Sequence, residues 1–258
     1  MSLRGVIYGL YARRLRAQLA SGPVPRHLAI IIDGNRRWAR QMGLADVSLG
    51  HQRGAEHIDD VLGWCADAGI THVTIFVASI DNLSKRAPTE IDFLMRLAER
   101  VIPERLAAPS GRWQLHLAGQ LDLLPDSTAR ALKQAEEATR DRATGSHVTL
   151  AIGYSGRAEI ASAVRSLLHE EAQAGTTAGQ LARTLTDEDI ARHLYTTGQP
   201  DPDLVIRTSG EQRLSDFLIW QTVRSELYFC DVYWPGFRQV DLLRALRAYS
   251  ARSRRSIS

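Results

Sequence analysis

Cysteine is nearly absent from this chain of 258 residues, which carries only Cys65 and Cys230. They stand far apart and outside any CxxC pattern, which argues against a disulfide framework and a structural metal site and for reduced thiols in a cytoplasmic protein. No apolar run approaches the roughly 18 residues that span a bilayer, and no cleavable leader is visible. There is no GxxxxGK[ST] for a phosphate-binding loop, no GxSxG elbow, and no cluster of His and Cys with metal-ligand spacing. His27, His51, His72, His116, His147 and His169 are scattered along the chain. Charge of one sign is also scarce. The net charge is +3, and the arginines are not gathered into one nucleic-acid-like tract, so a diffuse basic balance suits small anionic ligands and no nucleic-acid partner is expected. Internal repeats and low-complexity tracts are missing too.

What is present fits a single large α/β domain. Apolar residues make up 44% and charged residues 24%, enough for a substantial core. The clearest stretch is His27-Leu-Ala-Ile-Ile-Ile-Asp-Gly-Asn-Arg-Arg-Trp38. Leu28 to Ile32 reads as a strand buried on both faces, and it breaks off into Asp33, Gly34, Asn35, Arg36 and Arg37. Gly34 permits a tight turn and close approach of a ligand to the backbone. A helix starting there would point free N–H groups at a phosphate, and Arg37 would clamp it. Asp33 beside phosphate calls for a divalent cation between the two, and Mg²⁺ is the cation that does this. Asp-Gly and Asn-Gly are also everyday turn signals, so the motif needs support from elsewhere in the chain.

Support comes from the ends of other predicted strands. The chain alternates them with helices: strands at 72–79, 113–118, 148–152, 203–206 and 226–230, with helices between them and a closing helix from Val240. Trp38 to Gly50 reads as an irregular loop or short helix, Gly175 to Gly179 as a linker, and Thr186 with Asp189 as a capping box. Such alternation predicts a mostly parallel six-stranded sheet flanked by helices, with ligands at the carboxyl ends of the strands. There the second strand offers Ser79 and Asn82, with Lys85 or Arg86 close by. The fourth offers Gly153, Tyr154 and Arg157, and the fifth offers Arg207, Arg213 and Ser215. Two guanidiniums and a hydroxyl within nine residues can grip a diphosphate, although an arginine pair in a loop also suits a solvated surface. Residues 1–24 stand apart as a basic amphipathic segment, with Leu3, Val6, Ile7, Leu10, Tyr11 and Leu15 at helical spacing among Arg4, Arg13, Arg14 and Arg16. It could rest on an anionic membrane surface or pack on the body of residues 25–258.

Taken together, His27 to Arg40 and Asp201 to Gln221, with Ser79-Ile-Asp-Asn82, Gly153-Tyr-Ser-Gly-Arg157 and Ser225-Glu-Leu-Tyr-Phe229, strongly resemble the cis-prenyltransferase (undecaprenyl diphosphate synthase) family. The likeness spans about residues 25 to 250 and is closest to the actinobacterial short-chain branch that makes (2Z,6E)-farnesyl diphosphate. It implies a Mg²⁺-dependent homodimer that adds isopentenyl diphosphate to a short allylic diphosphate. By this resemblance Asp33 is catalytic and binds the metal together with Glu226. Gly34, Asn35, Arg37 and Trp38 hold the allylic diphosphate, with His51 close to their loop. Arg207, Arg213 and Ser215 hold isopentenyl diphosphate, Ser79 and Asn82 place the diphosphate and assist proton removal, and either Arg86 or Lys85 fills the role of an arginine expected a few residues on.

The chain departs from the family at several points. Asp81-Asn82-Leu83 stands where Glu-Asn-Trp is usual, Ile80 where a small hydroxyl residue is usual, and Asp216 where asparagine is usual. These departures keep irregular coupling, terpene cyclisation and long-chain synthesis open as alternatives, with a non-catalytic partner subunit a further one. Strand alternation groups Ile75, Val77 and Ser79 on one face, and Thr74, Phe76 and Ala78 on the other. Val77 then lies roughly 7 Å deeper than Ser79, where a stiff branched side chain would narrow a product tunnel and limit the product to fifteen carbons.

Overall fold

Runs of apolar residues buried on both faces settle into parallel strands covered by helices. The computed structural model describes residues 3–19 and 22–254 and contains β1 (His27–Ile31), β2 (His72–Ser79), β3 (Trp113–Ala118), β4 (Ser146–Tyr154), β5 (Leu204–Arg207) and β6 (Glu226–Phe229). They form one sheet in the order β3-β4-β2-β1-β5-β6, and every pairing is parallel. The helices are α1 (Leu3–Leu19), α2 (Asn35–Gln41), α3 (Ser48–Asp67), α4 (Ile80–Lys85), α5 (Pro88–Arg105), α6 (Asp126–Thr139), α7 (Gly156–Gln173), α8 (Ala178–Thr184), α9 (Asp187–Ala191) and α10 (Gln239–Ser253). The stretch from Trp38 to Gly50, expected as an irregular loop or short helix, is the end of α2, a loop at 42–47 and the start of α3. The expected linker at 175–179 runs into α8, which Thr177 and Gln180 start with a capping box. Thr186 and Asp189 make the capping box anticipated for α9.

The sheet separates two apolar layers. Leu28, Ile30, Ile75, Leu150 and Ile206 face one layer together with side chains of α3, α5 and α10. Ala29, Ile31, Phe76, Tyr154 and Val205 face the other, where Phe76 stacks on Phe217 with ring centroids 4.6 Å apart. Simple alternation fails in β2. Its pairing with β4 shifts register between Phe76 and Ala78 and again before Ser79. This bulge turns both Val77 and Ala78 toward the layer of Ile75, so Ala78 does not share the face of Phe76.

The amino-terminal segment is not separate from the body. α1 packs on α10 and buries Ala12, Leu15 and Leu19, while the hydroxyl of Tyr8 accepts the Val240 N–H at 3.3 Å. At the amino rim of the sheet, His27, His72 and His147 lie in register across β1, β2 and β4. His72 stacks on His147 with centroids 4.7 Å apart, and His116 Nε2 lies 3.0 Å from His147 Nδ1.

Candidate active site

The carboxyl rim of the sheet is where the site forms. β1 delivers Asp33, whose backbone N–H donates to Thr208 Oγ1 at 2.8 Å, tying the ends of β1 and β5 together. Gly34 follows with φ of 100°, and a Cβ there would lie 2.7 Å from the Tyr233 ring, so both the turn and the space require glycine. The seven-residue α2 is a short dipole, and guanidiniums supply most of the positive charge. Arg207 Nη2 donates to one Asp33 oxygen at 2.9 Å, and Arg37 Nη2 reaches the other at 3.3 Å and Ser209 Oγ at 2.8 Å. Burial alone would raise the pKa of Asp33, but Arg207, Ser209 and Arg37 outweigh it and hold the carboxyl below its ordinary range.

Arg207 is almost fully buried. Its Nη1 donates to the Arg213 carbonyl and to Ser215 Oγ, both at 2.6 Å, and Arg213 Nε donates to the same hydroxyl at 3.3 Å. The loop that follows Arg207 is strained, with left-handed backbone at Ser209, Ser215, Asp216 and Leu218. Asp216 anchors it to the start of α7, accepting the Arg157 N–H at 3.1 Å while its own carbonyl accepts the Gly156 N–H at 2.8 Å.

On the other wall, Ser79 caps α4 by accepting the Asn82 N–H at 3.0 Å. Arg86 Nη2 donates to Asn82 Oδ1 at 3.1 Å and faces the cavity, whereas Lys85 lies outside in an exposed pair with Asp81. Glu90, on α5, gathers this wall: it meets Arg86 at 3.2 Å, His51 at 3.1 Å and Arg36 at 3.6 Å. Burial and then the Arg86 charge lower the His51 pKa to about 4 against the opposing pull of Glu90.

These residues line two joined polar cavities of about 420 and 270 Å³, which share Asp33, Asn35, Arg36, His51, Arg86 and Arg213. Asn35 Oδ1 and Arg207 Nε are buried without a partner among the described residues. Behind them an apolar cleft of about 70 Å³ runs between Val77 and Ala78 on one side and Leu94, Met95, Ala98 and Ile102 on the other.

Two expected residues fall elsewhere. Glu226 opens β6, and the first residue of a strand parallel to β1 lies at the opposite rim from Asp33. It pairs with Arg252 at 2.9 Å, so one chain does not bring it to the Asp33 carboxylate. Trp38 packs beside Gly236 and lines neither polar cavity. Tyr154 is buried and hydrogen-bonded to Glu159, and Arg157 is exposed beside Asp216. Among the described residues no group of three His, Cys, Asp or Glu side chains could hold a metal. One carboxylate does suit Mg²⁺ that takes its remaining ligands from substrate phosphates and water.

Diphosphate at one end and hydrocarbon at the other is the ligand this cavity describes, which places the protein among the transferases of prenyl diphosphates. The chain belongs to the cis-prenyltransferase family, matching the family described as putative undecaprenyl diphosphate synthase over residues 31–256. It is 62% identical to an isoprenyl transferase of Streptomyces fradiae, over 99% of both chains. It is 53% identical to the (2Z,6E)-farnesyl diphosphate synthase of Thermobifida fusca, over 98% of both. Among solved structures, lavandulyl diphosphate synthase from Lavandula x intermedia, in complex with dimethylallyl diphosphate, superposes with a TM-score of 0.80 at 35% identity, covering 88% of this chain and 95% of that one.

Proposed function

We propose that this chain adds isopentenyl diphosphate in cis to a short allylic diphosphate, geranyl diphosphate, and releases a fifteen-carbon Z-prenyl diphosphate. The observation that carries this reading is the junction at Asp33. There an ionised carboxylate held by two arginines lines both polar cavities, which are large enough for diphosphates and meet an apolar cleft of only about 70 Å³ at Ile32, Asn35 and His51. Arg207, Arg213 and Ser215 grip isopentenyl diphosphate. Gly34, Asn35 and Arg37 hold the allylic diphosphate, whose hydrocarbon enters the cleft past Val77 and Ala78.

Mg²⁺ held by Asp33 and the substrate would supply charge neutralisation for the departing diphosphate. The allylic C–O bond breaks, the double bond of the isopentenyl unit forms the new C–C bond, and one proton leaves. A group with a pKa of about 4, as His51 has, is a weak base at neutral pH. The departing diphosphate takes that proton, and Asn82, fixed by Arg86, orients the isopentenyl unit toward it. A homodimer belongs to the same reading, since β6 is an edge strand whose residues are half-buried and the adjacent Val223 is 80% exposed, and exposed edges call for cover. A peripheral membrane contact through α1 is compatible with it.

Irregular coupling is the weaker reading. The relative named for a lavandulyl product is 35% identical, against 49–53% for those named (2Z,6E)-farnesyl diphosphate synthase. Product analysis by mass spectrometry tests the choice, with each allylic diphosphate supplied with and without isopentenyl diphosphate. A fifteen-carbon product that requires isopentenyl diphosphate is expected. Products formed from allylic diphosphates alone, or dominated by fifty- or fifty-five-carbon chains, would refute it.

A further inference from the structure

The modest net charge conceals a strong segregation. Residues 1–26 hold five arginines and no acidic residue, and residues 238–258 hold six arginines against one aspartate. These two segments therefore carry ten net positive charges in a chain whose total is +3, and residues 27–237 are net negative by seven. Folding packs α1, with Arg13, Arg14 and Arg16, on α10, with Arg244, Arg247 and Arg252. The single acid between them, Asp241, is buried and already paired with Arg238 and Arg244, each at 3.2 Å. Arg13, Arg14 and Arg16 have no ion-pair partner among the described residues.

The same face carries exposed apolar bulk. Ala12, Leu15 and Leu19 turn α1 toward the body, which leaves Ile7 59% and Leu10 63% exposed. Ile7, Leu10 and Arg14 recur at three- and four-residue steps and so share one stripe. Charge alone would suit nucleic acid, but that partner would leave both aliphatic side chains in water. The aromatic rings that could stack on bases are also taken: Arg238 lies 5.9 Å over Tyr8 and Arg244 5.3 Å over Tyr11, both packed against the core. An anionic bilayer uses both properties at once, phosphates for the arginines and the acyl boundary for the aliphatic pair.

We propose that the α1–α10 face docks on an anionic phospholipid bilayer, with Ile7 and Leu10 entering the headgroup–acyl boundary and Arg13, Arg14 and Arg247 lying on lipid phosphates. This docking does not depend on the proposed reaction, and its test uses no substrate. The full chain is sedimented with vesicles of phosphatidylcholine alone and of equimolar phosphatidylcholine and phosphatidylglycerol, at low and high salt. Binding is expected on the mixed vesicles at low salt only. An arginine near the surface strengthens binding by about fivefold, so the Arg13→Glu/Arg14→Glu pair should weaken it by at least about tenfold. Leu10→Asp should weaken it as well, and both variants should keep the wild-type melting temperature and turnover. Equal sedimentation with the two vesicle types would overturn the proposal. So would unchanged binding of folded Leu10→Asp, or displacement of the protein from vesicles by a duplex oligonucleotide at equal phosphate concentration.

Discussion

Asp33 and Arg207 support each other, and removing either has different consequences. Asp33→Ala takes one carboxylate from a half-exposed rim position, so the fold should persist. Loss of an electrostatic stabiliser typically lowers kcat by about 10²–10³, to be read from steady-state kinetics alongside a melting curve. A folded variant with near-normal turnover would remove Asp33 from the chemistry. Arg213 is two-thirds exposed and leans on Glu211 at 2.9 Å, so Arg213→Ala should raise KM for isopentenyl diphosphate by roughly tenfold or more and leave the allylic substrate little changed. Arg207 is buried and bonds Asp33, Ser215 and the Arg213 carbonyl. Arg207→Ala should therefore impair both substrates and lower the melting temperature, and a purely isopentenyl effect would contradict its bridging position. Asp33 and Arg207 were legible because each is a polar break directly after an apolar run, and Gly34, Arg37 and Arg213 because they follow in the same loops. Glu90 was not, since an acid in the first turn of a helix carries no sign of the arginines and histidine that fold onto it.

At the scale of elements, β2 lines the apolar cleft, and β1 to β4 carry the buried histidines that bear on acid stability. The bulge turns Val77 and Ala78 into the same cleft, so two consecutive residues control its width. Val77→Ala should shift extracted products toward longer chains and Ala78→Val toward shorter ones, as separated by chromatography. If neither distribution moves, the cleft is not the product tunnel. The histidine rung behaves differently. Burial lowers the pKa values of His27, His72, His116 and His147, that of His72 to about 4, and the neighbouring imidazoles lower His72 and His116 further. The unfolded chain then binds more protons than the folded one below about pH 6.5, so stability is complete above that value and falls as pH drops toward 4. Urea midpoints measured across this window should decline, and His72→Gln should flatten the slope. A midpoint independent of pH would mean the rung titrates normally. Strand boundaries were readable to within a residue or two because buried runs end in polar residues. The bulge was not readable, because two small apolar residues in sequence leave the strand pattern unbroken. The placing of Glu226 could have been read, since the first residue of a parallel strand must lie away from the carboxyl rim.

For the whole molecule, the informative contact is between α1 and α10. The family match begins at residue 31, yet Leu15 is fully buried against the body. Leu15→Ala should cost about 2–5 kcal/mol, a melting temperature lower by about 5–15 °C, and deletion of residues 1–19 should destabilise more. An unchanged melting curve would mean that α1 is dispensable to the packed core. The sequence reads this segment as one amphipathic face, but the structure splits it: Leu15 is buried while Ile7 and Leu10 are exposed, because apolar residues at helical spacing do not say which of them find a partner. That pairing also fixes an order of events during synthesis. α1 leaves the ribosome before α10, and at about 5–20 residues per second it waits on the order of 10–50 s for the surface that covers Leu15 and Leu19. Until then the nascent chain presents an apolar, arginine-rich helix without the α10 surface it packs on, and a chaperone or a nearby bilayer can reach it before α10 does.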